Sequence, residues 1–269
     1  MSNIKNLFHR LAHARLWIVL QFVLTLVLIL AGLAWTRLPD KHIWQVALSL
    51  FIPLLLAICA LELQAATVRA FADNDGKRVK LVWGAVTLLV WIAVGAAFWA
   101  FLDWCDDQFP LWAGYLNSRF LAHARATVFT YAHIVRWLTI AEWILRWIVL
   151  PAKLIPYGAA SSQWGWRIPW RRILRILWNW RWWLAVVLAS LVAVYLPGKF
   201  FSIEPKGSVS AQVWSVTLKV LVTYILAVGT WVLLLGWVTT LFSRQQPPTE
   251  ESLVAIPVEI PPSDETPKG

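Results

Sequence analysis

Charge is scarce in this sequence: 14% of its 269 residues are Asp, Glu, Lys or Arg, 59% are hydrophobic, and the mean hydropathy is +0.63. A water-soluble domain carries about 25% charged and about 45–50% apolar residues. A core of this size could not hide the excess, so lipid is expected as the second solvent. Cysteine is almost absent. Cys59 lies deep in one apolar run and Cys105 just past the end of another. On the topology argued below they face opposite leaflets, well beyond the roughly 4.4–6.8 Å Cα separation a disulfide needs. The five histidines (His9, His13, His42, His123, His133) are dispersed without metal-ligand spacing. There is no His-Glu-x-x-His, Gly-x-Ser-x-Gly, Walker loop or dinucleotide fingerprint. No catalytic residue, metal or cofactor is therefore expected.

What the chain does have is long apolar runs and tryptophan. A crossing helix needs about 20 mostly apolar residues. Residues 16–36, 43–63, 81–103, 182–197 with flanks, and 212–242 meet this. The run after Lys5, Arg10 and Arg15 resembles a signal peptide, but it continues through Trp35 and is read as a retained first helix. A sixth stretch, 128–150, carries His133, Arg136, Glu142 and Arg146 and could either span or lie on the surface. Basic residues decide between the two. If 128–150 spans, fifteen Lys and Arg fall on one side and six on the other. If it does not, the ten from Arg119 to Arg181 move to the outer side, against the positive-inside rule. The fold expected is thus all-α: a polytopic transmembrane helical bundle of six spans, with both termini cytoplasmic, in a bacterial inner membrane. The net charge of +10 is then a topology signal, and no nucleic-acid partner is expected.

Span four carries the most chemistry. At 100° per residue His133, Arg136, Glu142 and Arg146 share half of the helical wheel, and Val, Ile, Leu and Trp fill the other half. Charges in hydrocarbon cost several kcal/mol, so this face should turn into the bundle. Glu142 and Arg146 are spaced to pair. Depth further places Glu62 near Arg146, and Asp103 near Arg136 or Lys219, although Lys219 can snorkel to the interface instead. Asp103, Asp106 and Asp107 would form an acidic outer rim if the third helix continues, and a solvated rim is preferred to a metal site.

From Trp137 to Trp183 lie ten of the 21 tryptophans. Within the cytoplasmic loop expected over 151–181, residues 168–180 set Arg171, Arg172 and Arg175 on one face and Ile173, Leu174, Ile176 and Leu177 opposite. This reads as an interfacial helix that, with Arg167 and Arg181, contacts anionic lipid headgroups. Residues 244–269 hold six of the 14 prolines and five of the 14 acids, which predicts a disordered tail able to offer a protein partner a short docking strand. Asp73-Asn-Asp-Gly76 lacks the later ligands of a calcium loop and is read as a turn. Leu11-Ala-His-Ala-Arg15 recurs at 121–125, each copy ahead of three spans, as a 3 + 3 inverted repeat would require.

Three functional classes remain. A non-enzymatic scaffold or subunit of a membrane complex stands first. The alternative is a small-solute or ion transporter using the polar face of span four. A lipid-modifying intramembrane enzyme is a distant third.

Overall fold

The computed structural model describes residues 2–38, 42–72, 80–120, 128–203 and 208–243. The LAHAR repeat's second copy, the Asp73–Gly76 turn and the C-terminal tail lie outside the described residues. Those described are 90% helical, with no strand among them. In chain order the helices are α1 (Ser2–His13), α2 (Arg15–Trp35), α3 (Ile43–Phe71), α4 (Leu81–Arg119), α5 (Tyr131–Ile144), α6 (Leu150–Trp164), α7 (Trp170–Leu177), α8 (Trp180–Ser190), α9 (Leu196–Phe201) and α10 (Val209–Ser243). Wide π-turns at Leu145–Val149 and Leu191–Tyr195 join α5 to α6 and α8 to α9 without a break.

Five of these helical segments are long and apolar enough to cross a membrane: Arg15–Trp35, Ile43–Phe71, Leu81–Arg119, Trp180–Phe201 and Val209–Phe242. The chain thus has the build of a multi-pass membrane protein. The expected fourth span is not among the five. In place of a helix over 128–150 and a loop from 151, one rod runs from Tyr131 to Trp164. Pro151 and Pro156 both lie inside this rod, where the π-turn and the neighbouring helix absorb them.

The absorption has a common pattern. A helical proline lacks the N–H that the carbonyl four residues earlier requires, and lipid offers no water as a substitute. Pro53 orphans the Ser49 carbonyl, which accepts from Trp35 Nε1 on α2 at 3.0 Å. Pro156 orphans the Ala152 carbonyl, which accepts from Trp182 Nε1 on α8 at 2.9 Å. Ahead of Pro151 the helix widens, and the Trp147 carbonyl accepts from Ser190 Oγ at 2.5 Å. At these three positions the helical defect becomes an interhelical tie.

α4 and the Tyr131–Trp164 rod run antiparallel along their whole length. Asn117 Nδ2 donates to the Phe129 carbonyl at one end (2.7 Å), Arg146 meets Asp103 midway, and Thr87 Oγ1 donates to the Ser161 carbonyl at the other (3.1 Å). α4 and α6 make the most extensive contact in the bundle. Small residues permit it: a Cβ added at Gly84 would lie 2.8 Å from the Ser162 carbonyl oxygen, and one at Gly95 would lie 2.6 Å from Leu154 Cδ1.

One end of the bundle collects many chain turns. Arg69 on α3 donates from Nε to the Ser162 carbonyl (2.9 Å) and from Nη2 to the Lys80 carbonyl (3.2 Å). Arg10 on α1 donates to the Phe71 carbonyl (2.6 Å), and the Trp164 ring meets Phe242 edge-on. The core lies beneath this end, around Phe71, Ile155, Trp182, Val186, Val238 and Phe242. Elsewhere the bundle carries buried polar ties. Gln21, only 1% exposed, accepts from Thr67 Oγ1 at 2.5 Å, and Trp231 Nε1 donates to Gln64 Oε1 at 2.7 Å.

Candidate functional site

The site is built where the wide turn at Leu145–Val149 passes the middle of α4. A π-turn inserts extra backbone into a helix and re-aims the side chains around it. Here it brings Arg146 over the indole of Trp99, with the guanidinium carbon 4.6 Å from the ring centroid. Trp147 meets the same indole edge-on at 5.0 Å. Arg146 Nη2 reaches Asp103 Oδ1 at 2.6 Å, and its Nε pairs with Glu142 one turn earlier. The side chains of Arg146 and Glu142 are 17% and 12% exposed, whereas that of Asp103 is 57% exposed. One guanidinium therefore faces two carboxylates, one sheltered and one at the surface.

The i,i+4 pairing of Glu142 with Arg146 is present as spaced. The depth-based pairings are corrected. Asp103 pairs with Arg146 rather than with Arg136 or Lys219, and among the described residues no ion pair joins Glu62 to Arg146. The reason is the hairpin: α4 continues 16 residues past Asp103 and the rod starts 15 residues before Arg146, so the two fall level. Lys219 Nζ donates to the Ile203 carbonyl at the end of the preceding helix. His133 and Arg136 are exposed and border a shallow hollow with Val128, Trp137 and Ile140. Thr130 caps the helix that carries them, its hydroxyl accepting from the His133 N–H. Asp106 and Asp107 are exposed one turn beyond Asp103, because α4 continues to Arg119. Cys105, expected in a loop, is buried in that same helix; both cysteines are free. Among the described residues no group of three or more His, Cys, Asp or Glu is placed to hold a metal ion.

Sequence reasoning missed what lies beside the triad. A cavity of about 280 Å³ runs along α4 from Leu88 to Trp99, walled by Trp91, Trp147, Leu154 and Trp231, with Arg146 at one end. Its polar neighbours are already engaged: Gln64 by Trp231, Ser162 by the Gly158 carbonyl and Arg146 by its carboxylates. The cavity is therefore apolar along its length. The only advance signal was the density of tryptophan, since the walls come from four separate helical segments.

α7 packs beside the Trp91 wall through Trp170, with ring centroids 6.4 Å apart, and presents its arginines outward. Ile173 and Ile176 are fully buried against the bundle, while Arg171, Arg175, Arg167 and Arg181 are exposed and Arg172 is half-buried. Asn179 caps the following helix, accepting from the Arg181 N–H at 3.1 Å. Trp166, Trp170, Trp178 (91% exposed) and Trp180 stand among these arginines, and Arg181 lies over the Trp180 ring. The apolar face expected to enter lipid is thus packed on the protein at Ile173 and Ile176, while Leu174 stays exposed with the tryptophans at the surface. No family model, curated protein or solved structure matches the chain.

Proposed function

We infer that the chain is a non-enzymatic scaffold or subunit of a complex in a bacterial cytoplasmic membrane. On this reading it crosses six times with both termini in the cytoplasm. The sixth crossing is the rod, whose 145–164 portion lies alongside 81–102. The arginines of α7 and its flanks then sit at the cytoplasmic interface, where anionic headgroups add about 1 kcal/mol of attraction for each basic residue.

The carrying observation is the length of α4. Its 39 residues span about 58 Å at 1.5 Å each. The bilayer including headgroups is about 40–45 Å thick. The hairpin formed by the end of α4 and the start of the rod then stands beyond the lipid, yet it leaves Leu111, Tyr115, Trp137 and Ile140 exposed. Apolar side chains gathered on a water-facing element mark a surface that another protein covers. The proline-rich tail, beyond the described residues, offers a second point of attachment on the other side.

The transport reading keeps one supporting observation, the sheltered Glu142–Arg146 pair at a helix irregularity. Against it, the internal cavity lacks a polar path. The two are separated by native mass measurement on membranes extracted in mild detergent. The wild-type chain should run in an assembly larger than its own 30.7 kDa. A Leu111→Glu, Tyr115→Lys variant should insert normally but fall to the mass of one chain. A wild-type chain that is monomeric under the same extraction contradicts the subunit reading.

A further inference from the structure

The tryptophan-lined cavity and the unequal ion triad at its end adjoin one another, and together they describe a ligand. The cavity extends over the twelve residues from Leu88 to Trp99, about 16 Å from the first to the last. Half of a bilayer's hydrocarbon, about 30 Å in full, is about 15 Å. The length is that of one leaflet. Ile92, on the cavity's rim, is 49% exposed on the outer flank of the bundle, so a chain can enter from the side. An apolar space of this size cannot hold ordered water, which needs polar partners that are not engaged elsewhere. In a membrane the available filler is hydrocarbon.

The charged end says which headgroup. Two carboxylates face one guanidinium at the triad, and Asp106 and Asp107 add two exposed carboxylates a turn farther on. An anionic headgroup would meet net repulsion. A headgroup that carries both a phosphate and an ammonium is complementary: the phosphate meets Arg146, whose contact with the exposed Asp103 is easily exchanged, and the ammonium meets Asp103 itself. We propose that the cavity between α4 and α6 binds an acyl chain of a phospholipid with an ammonium-bearing headgroup, held at Arg146 and Asp103. The proposal rests on the membrane reading above, with the triad at the outer headgroup level.

The test uses the full chain, purified in detergent, stripped of lipid and titrated with phosphatidylethanolamine or phosphatidylglycerol of identical acyl chains. Native mass spectrometry counts the retained lipid. The expected result is one retained phosphatidylethanolamine per chain, bound about tenfold more tightly than phosphatidylglycerol. Leu88→Phe, which takes up space at the end of the cavity away from the triad, should weaken retention of both lipids. Asp103→Asn should erase the preference while the chain still binds. Should Leu88→Phe fail to fold, phosphatidylethanolamine with brominated chains reports on the wild type, where quenching of tryptophan fluorescence should saturate at one equivalent. No retained lipid on the wild type, equal retention of the two headgroups, or retention untouched by Leu88→Phe overturns the proposal. A chain that partitions with detergent yet holds no lipid sinks this inference alone. One that stays in the aqueous phase sinks the membrane reading with it.

Discussion

At the scale of single residues, the balance of Asp103, Glu142 and Arg146 is set by exposure. An ion pair at the surface is worth about 0–1 kcal/mol, whereas removing one partner of a sheltered pair costs about 3–5 kcal/mol because the other charge is stranded. Glu142 is the sheltered partner of Arg146 and Asp103 the open one. Glu142→Gln should therefore lower thermal stability in detergent by more than Asp103→Asn does. Its loss is expected on the order of 1–3 kcal/mol, since Asp103 still compensates part of the charge. Pairing Glu142→Gln with Arg146→Gln should recover part of it. If Asp103→Asn proves the more damaging substitution in thermal unfolding, the assignment of Glu142 as principal partner is wrong.

Helical elements in this protein are defined by their defects as much as by their regular turns. Pro151 denies the Trp147 carbonyl its α-helical donor, the helix widens into a π-turn, and Ser190 Oγ supplies a bond from the neighbouring helix. A buried carbonyl left without a donor costs about 1–3 kcal/mol. Ser190→Ala should carry that penalty in the native chain. In a Pro151→Ala background residue 151 regains its N–H, so the same substitution should cost much less. A double-mutant cycle read by thermal unfolding checks this, and equal penalties in the two backgrounds would show that Ser190 does not serve the proline defect.

The same elements show which parts of the fold were legible in the sequence. Five apolar helices follow from composition and length alone, because lipid demands them wherever they occur. The amphipathic character of 168–180 was also plain, and α7 occupies Trp170–Leu177 with its arginines outward. The end of the fourth stretch was not legible. Pro151 and Pro156 stop a helix in isolation, and only the side chains of Ser190 and Trp182, distant in sequence, make them tolerable. That boundary and the extension of α4 to Arg119 together overturned the pairings argued from depth. The cavity was illegible for a related reason: α3, α4, the rod and α10 each contribute a few of its walls, and no local pattern records their meeting.

For the whole molecule, the sidedness of its turns follows from how the helices meet. Arg69 ties the end of α3 to the start of α4 and to the last turn of α6, and the Trp164 ring rests on Phe242 near the end of α10. Those turns therefore share one end of the bundle, and the hairpin around residue 120 stands at the other. A chain that threads the bilayer in this arrangement must separate the two ends by the membrane. The direct measurement is a pair of compartment reporters, one fused after Arg119 and one after Arg167. The expected outcome is opposite compartments, with the reporter after Arg167 in the cytoplasm. Both reporters in the same compartment would mean that the Tyr131–Trp164 rod does not cross, which contradicts the six-span arrangement and the headgroup level assigned to the Asp103–Arg146 pair.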